Sequence, residues 1–333
     1  MLQVWLRFII CAAVIFFAGS RLSKYGDIIA EKLGLTRAWI GLVLLATITS
    51  VPELANSIGA VTYVNAPDLA VGDLFGACLF NMFTLAVLDF LYKQGSVFTE
   101  KNKRHLVPLG MAAFIMALAV IGIIFTQKVF SVSVFGIGIF SILIFVSYII
   151  GQRLLFKYEK ESGLLATEAN YGGASVHSAF IKFFIFALLV IAAGAYLPQV
   201  GADIVAATGW GGTFVGSLFL GLATTLPELT VSASALYLGM ADIAIGNLIG
   251  SNIFNISILF IADLFYRRGP ILAHVSMGNS LTAFSVIVMF GIAALALAAK
   301  RKRVVFDRVD VYSIIMIIIF ALSFTILFKL GLG

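Results

Sequence analysis

The chain has 333 residues, of which 61% are hydrophobic and only 11% charged, with 22 basic and 16 acidic side chains. Its mean hydropathy is +1.09. So little charge cannot cover a soluble domain of this length, and disordered chains are poor in apolar residues, so both classes are excluded. The net charge of +6 marks membrane-flanking loops rather than a nucleic-acid partner.

The apolar runs show no barrel-like alternation and are long enough for helices. Spans are predicted at about 2–22, 38–64, 69–91, 106–126, 129–151, 179–198, 211–238, 242–265, 275–299 and 311–331. The first run lacks a clustered basic start and reads as a retained helix, not a signal peptide. Cys11 and Cys78 fall inside apolar runs and read as packing residues. The most polar connection, 152–178, carries Arg153, Lys157, Glu159, Lys160, Glu161 and Glu168. It divides the chain into residues 1–151, a cytoplasmic linker at 152–178, and residues 179–333, with five spans in each half.

Orientation follows from the basic residues. Seventeen of the 22 lie in odd-numbered loops: Arg21, Lys24, Lys32 and Arg37; Lys93, Lys101, Lys103 and Arg104; Arg153, Lys157, Lys160 and Lys182; Lys300–Arg303 and Arg308. Those loops are expected on the cytoplasmic side, with both termini outside. Because five is odd, a repeat of the first half in the second must be inverted in the membrane.

Such a repeat is present. GLVLLATITSVPEL (41–54) aligns with GSLFLGLATTLPEL (216–229) at a shift of 175, and Ala18-Gly19 with Ala193-Gly194. DLAVGDLFGACLFN (68–81) aligns with DIAIGNLIGSNIFN (242–255) at a shift of 174, and the match runs on to Asp89 with Asp263. Coincident Glu, Asp, Asn and Pro residues are too rare here for composition to explain. The expected fold is an all-α polytopic membrane protein with ten helices in two inverted five-helix repeats. Inverted repeats with interrupted helices are a transporter architecture.

Each interruption is a hydroxyl pair, then Pro, then Glu: Thr49-Ser50-Val51-Pro52-Glu53 and Thr224-Thr225-Leu226-Pro227-Glu228. Proline removes a backbone donor and frees an earlier carbonyl. Such a carbonyl is tolerated in lipid only where it lines a cavity or binds a cation. Glu53 and Glu228 are expected to meet near the pseudo-two-fold axis. Two close carboxylates repel unless a proton or a cation lies between them. Carboxylates, carbonyls and hydroxyls together suit a hard cation, Ca²⁺ before Mg²⁺. Asp73, Ala77 and Asn81 share one helix face, as do Asn247, Ser251 and Asn255, and both stripes read as site-lining. Asp89 and Asp263 read as helix-end or loop contacts.

At these motifs the sequence resembles the calcium:cation antiporter superfamily, the sodium/calcium exchanger family, in its prokaryotic form without a regulatory domain. The likeness covers both repeats and nearly the whole chain. It implies secondary antiport of Ca²⁺ against Na⁺ by alternating access. It implies no enzyme activity and no cofactor, a monomer in the plasma membrane, and the two ions and the lipid bilayer as partners. It places Ca²⁺ on Glu53, Glu228 and the carbonyls of Thr49 and Thr224. It places Na⁺ at Ala46, Ser50, Thr225, Ser251, Asn81 and Asn255. The chain departs from the family with Ala77-Cys78 for the usual Ser-Asn, Asp73 for Asn, and Asn255 for the Asp of many members. Asp73, one turn before Ala77, is expected to restore a negative charge or carry a proton, as a ligand of Na⁺ or the coupling ion, and the alternative reading is H⁺- or K⁺-coupled exchange of Ca²⁺ or another divalent cation. A passive channel would need a continuous polar pore. An enzyme would need a nucleophile with its base or a metal–His cluster, and the three histidines (His105, His177, His274) all fall near loops.

Overall fold

The computed structural model describes residues 1–32, 45–92, 95–161, 175–299, 304–305, 309–329 and 331. Helices are the form in which an apolar run satisfies its own backbone. They are α1 (Leu2–Lys32), α2 (Ala46–Thr49), α3 (Val51–Gly59, continued by a π turn at Ala60–Val64), α4 (Pro67–Leu91) and α5 (Leu106–Lys128). After them come α6 (Ile139–Glu161), α7 (Val176–Thr208), α8 (Gly212–Thr224, wound as π at 216–220), α9 (Leu226–Tyr237), α10 (Ala241–Phe265), α11 (Gly278–Ala298) and α12 (Val311–Lys329).

Among the described residues, eight helices are long and apolar enough to cross a membrane. The pair α8 and α9, bent by 45°, makes a ninth. This is an integral membrane protein, nearly all helical. The segment Ala46–Val64 matches α8 and α9 in the repeat, but residues 38–44 of its predicted span lie outside the described residues. So do 162–174 of the predicted linker, and Arg37, Lys93, Lys300–Arg303 and Arg308 of the charge count.

Two spans run longer than predicted. The first continues to Lys32, because no proline stops it. The sixth passes through Pro198 and ends where Gly209, at φ 72, supplies a left-handed cap. The fifth is corrected at its start: residues 129–138 are not helical. Ser133–Val134 pairs with Ile137–Gly138 as a hairpin, and Phe135 (φ 53) and Gly136 (φ 85) form its two-residue turn. Both central residues take positive φ, as the hairpin twist requires. A short β-branched run before Gly cannot be told from a helix by periodicity alone.

The most buried spans, α4 and α10, form the centre. Around them the contacts come in pairs that obey the sequence shift. The two breaks carry the same hydrogen bonds. Ser50 N–H donates to Ala46 O at 3.2 Å, and Thr225 N–H to Gly221 O at 3.2 Å. Leu54 N–H donates to Ser50 O at 3.2 Å, and Leu229 N–H to Thr225 O at 3.1 Å. Pro52 and Pro227 restart α3 and α9 in the first turn, where a missing N–H costs nothing.

The glycines cross over. Gly19 on α1 lies against Pro227, and Gly194 on α7 lies against Pro52. A Cβ at Gly194 would come 2.9 Å from Pro52 O and 3.0 Å from Ala55 Cβ. Gly194→Ala is therefore expected to destabilise the protein by roughly 1–3 kcal/mol through overpacking. Thermal unfolding in detergent measures this, and an unchanged midpoint would contradict the packing.

Four aspartates anchor the ends of the central helices in the same crossed way. Asp89 Oδ1 accepts from Ser96 Oγ (2.7 Å) and Val97 N–H (2.8 Å), and its Oδ2 from Asp310 N–H (2.9 Å) and Ser313 Oγ (2.7 Å). Asp263 Oδ1 accepts from Ile271 N–H (2.7 Å) and its Oδ2 from Gly138 N–H (2.8 Å), with Ser141 beside it. The end of α4 is thus clasped to the start of α12, and the end of α10 to the start of α6. These contacts match the helix-end role expected for Asp89 and Asp263. At the other ends, Asp68 Oδ1 accepts from Ser276 N–H (2.6 Å) and Asn279 Nδ2 (2.8 Å). Asp242 pairs with Arg104 and lies 2.9 Å from His105 Nε2. Asn279 and His105 are themselves related by the shift of 174.

Candidate cation site

Where the two breaks face α4 and α10, polar side chains replace the apolar core. Thr49, Ser50, Glu53, Asn56, Asp73, Asn81, Thr224, Thr225, Glu228, Asn247, Ser251, Asn252 and Asn255 are all buried. The proline restart sets each glutamate in the first turn of its helix, one turn after the hydroxyl pair. There the unpaired helix N–H groups favour an anion.

Each glutamate faces the hydroxyls of the other repeat. Glu228 Oε1 accepts from Ser50 Oγ at 3.0 Å, and Thr49 and Ser251 lie beside it. Thr49 Oγ1 lies 3.2 Å from Ser251 Oγ, which also reaches Ala46 O at 3.3 Å. On the other side Thr224 lies beside Glu53, and its Oγ1 donates to Asp73 Oδ1 at 2.9 Å. Thr225 does not mirror Ser50; its hydroxyl turns back to the carbonyl of Gly221. Glu53 therefore has no hydrogen-bond partner on either carboxylate oxygen, and Glu228 has none on Oε2. Glu228 and Asp73 are the acidic neighbours of Glu53.

Unpaired acidic oxygens at full burial are unusual, because buried polar groups are normally satisfied. The ion pairs Arg7–Asp203, Arg104–Asp242 and His105–Asp242 do not touch these carboxylates. The donor set is all oxygen and carries negative charge, which is the chemistry of a hard-cation site. Ser50→Ala removes a hydroxyl donor of Glu228, and a fall of about tenfold to a hundredfold in cation affinity is expected from the loss of a charge-assisted hydrogen bond. Isothermal titration of the purified protein with Ca²⁺ measures this, and an unchanged affinity would separate Ser50 from the site.

Comparison with known proteins decides what such a constellation belongs to. The family model described as sodium/calcium exchanger protein matches residues 3–154 and 178–329. The chain belongs to the sodium/calcium exchanger family. The family is one of membrane antiporters for Ca²⁺ and Na⁺, and its members are transporters rather than enzymes. The chain is 27% identical to the sodium/calcium exchanger MaX1 of Methanosarcina acetivorans, over 73% of this chain and 77% of that one. It is 26% identical to the putative antiporter CaxA of Alkalimonas amylolytica, over 68% and 70%. Among solved structures, the sodium-calcium exchanger NCX_Mj has the same fold, with a TM-score of 0.63, 21% identity, and 98% of this chain and 99% of that one covered. Native YfkE superposes with a TM-score of 0.67, 16% identity, and 99% and 92% covered.

Within this exchanger the residues singled out from sequence fall into two clusters. Glu228, Thr49, Ser50, Ser251 and the Ala46 carbonyl form one. Glu53, Thr224 and Asp73 form the other. Asn81 stands slightly apart, its Nδ2 donating to Asn252 Oδ1 at 3.0 Å. Asn255 is buried with neither amide atom hydrogen-bonded. Asn247 donates to Ser232 Oγ at 3.0 Å.

Two lining residues escaped the sequence reading. Asn56 approaches Asp73 from α3, and Asn252 holds Asn81. Their counterparts under the repeat are Val231 and Cys78, so comparing the two halves passes over them. The usable signal for Asn56 is its place one helical turn after Glu53.

Proposed function

We propose that this exchanger carries Ca²⁺ against Na⁺ by alternating access, with Ca²⁺ held between Glu53 and Glu228. The observation that carries the reading is the pair of fully buried glutamates, related by the repeat, with three of their four carboxylate oxygens lacking a protein partner. A divalent cation offsets two carboxylates, and the carbonyls of Thr49 and Thr224 complete its oxygen shell. Na⁺ takes the positions of Ala46, Ser50, Thr225, Ser251, Asn81 and Asn255 when Ca²⁺ leaves. Because the same carboxylates serve both ions, occupancy by one excludes the other, and this exclusion couples the two fluxes.

The paired contacts support ten spans in two inverted five-helix repeats, 1–151 and 179–333, joined at 152–178. With the basic loops inside, both termini face outward from the plasma membrane. The working unit in this reading is a monomer. The H⁺- or K⁺-coupled alternative is favoured by Ala77 and Asp73, where a hydroxyl has given way to a carboxylate.

The test is uptake of radiolabelled Ca²⁺ into proteoliposomes under an imposed Na⁺, K⁺ or H⁺ gradient. Uptake driven by an outward Na⁺ gradient is the expected result. Uptake that follows only K⁺ or H⁺ replaces Na⁺ as the coupling ion. Ca²⁺ flux indifferent to every gradient would overturn antiport.

A further inference from the structure

The hairpin between α5 and α6 is built unlike a loop that faces water. No charged side chain and no histidine occurs from Val129 to Gln152. Val129, Phe130, Val132, Val134 and Phe135 are all exposed, and Phe135, at the tip, is fully so. Phe135 also holds φ 53. A bulky residue rarely adopts that conformation, which Gly or Asn takes at lower cost. A fully exposed ring gains nothing from the protein to offset the strain, so the compensation has to come from outside the chain.

The matching hairpin in the other half differs. Val304–Val305 pairs with Val309–Asp310 ahead of α12, as Ser133–Val134 pairs with Ile137–Gly138 ahead of α6. Asp310 N–H reaches Asp89 just as Gly138 N–H reaches Asp263. Yet the sequence around the second hairpin carries Lys300–Arg303 and Arg308. The same clasp leads to a basic loop in one half and to an apolar one in the other.

The level of the apolar hairpin follows from α6. The membrane-crossing stretch Ile139–Lys157 has 19 residues. At 1.5 Å per residue it rises about 28 Å, close to the roughly 30 Å of a hydrocarbon core. Gly138 therefore lies at the edge of that core. From it the chain enters a helix whose Leu143, Val146 and Ile150 are also exposed. An exposed apolar patch at this level meets headgroups and upper acyl chains.

We propose that residues 129–136 are a membrane anchor, with Phe130, Val134 and Phe135 inserted at the boundary between lipid headgroups and acyl chains. The bilayer then holds the hairpin at its tip, while Asp263 holds it at Gly138. The end of α10 is thereby tied to the membrane surface. The inference needs only that the chain spans a bilayer and is independent of which ions it carries.

Nitroxide labels in phosphatidylethanolamine–phosphatidylglycerol proteoliposomes test the anchor. They are placed at Phe135→Cys, at Phe130→Cys and, as a water-facing reference, at the exposed Arg267→Cys. Cys11 and Cys78 are buried, and labelling of the wild-type protein measures their background. Collisions with oxygen, which concentrates in lipid, are compared with collisions with a water-soluble nickel chelate. The oxygen-to-nickel ratio is expected to be several times higher at 135 and 130 than at 267. Phe135→Asn suits the turn but not the lipid, and adding it should bring the ratio at 130 down towards that at 267. A ratio at 135 equal to that at 267 would put the hairpin in water and overturn the proposal. So would a label at 135 shielded from both agents, because the tip would then dock on protein, whether a second copy or another chain. An unchanged ratio at 130 in Phe135→Asn would overturn the role given to the tip.

Discussion

Glu53→Gln and Glu228→Gln are each expected to lower Ca²⁺ transport by a hundredfold or more. Partners of a metal ligand are already worth about 10–100-fold in affinity, and these residues are proposed as the ligands themselves. An amide keeps the volume and one acceptor oxygen but removes the charge that faces the ion. Loss of transport alone does not distinguish a ligand from a structural residue, so a binding readout is needed. Saturating Ca²⁺ binds only the folded state and stabilises it by about 2.7 kcal/mol at a hundredfold excess over Kd. Wild-type protein in detergent should therefore unfold at a higher temperature with Ca²⁺ than with chelator, and neither glutamine variant should show the shift. The two should also differ from each other without Ca²⁺. Glu53 has no hydrogen-bond donor on either oxygen, whereas Glu228 holds Ser50 at 3.0 Å. Glu53→Gln breaks no hydrogen bond, whereas Glu228→Gln alters the acceptor that holds Ser50, so Glu228→Gln should destabilise the ion-free protein more. A Ca²⁺-dependent shift that survives in Glu53→Gln would place the ion elsewhere.

The largest effect on stability is expected at the clasps. Asp89→Ala strands four buried donors: the hydroxyls of Ser96 and Ser313 and the N–H groups of Val97 and Asp310. Each unsatisfied donor costs roughly 1–3 kcal/mol before the structure relaxes, and removal of a buried charged partner costs about 3–5 kcal/mol in all. In a protein of this size that lowers the unfolding midpoint by about 5–10 °C. Asp263→Ala should act in the same direction but cost less, because it strands the two N–H groups of Ile271 and Gly138. Asp89→Asn should cost less, since the amide oxygen still satisfies one side. A fall at Asp89 without one at Asp263 would break the equivalence of the two ends.

Much of this was legible before the fold was known, for a physical reason. In a chain with so few charges, an acidic residue inside an apolar run must be explained by structure or function. Glu53, Glu228 and Asp73 stood out on that ground, and all three are buried, Asp73 and Glu53 beside Thr224 and Glu228 beside Ser50. Proline before each glutamate made the helix breaks readable, and the breaks carry identical hydrogen bonds. What sequence could not supply was which polar groups satisfy one another. Ser50 and Thr225 look equivalent in the repeat, yet one hydroxyl serves a carboxylate and the other its own helix. That choice depends on rotamers and on side chains from the facing repeat, such as Asp73 drawing Thr224. The hairpin at 133–138 was missed because Val, Phe and Ile suit a strand and a lipid-facing helix alike.

The crossed clasps bear on how such a chain comes into being. Asp89 takes half of its donors from beyond residue 309, and Asp263 takes Gly138 from the first half. Neither half can satisfy its own central helix, so neither is a self-sufficient folding unit. Synthesis from the ribosome must leave Asp89 waiting until α12 is inserted, and only then does the end of α4 lock.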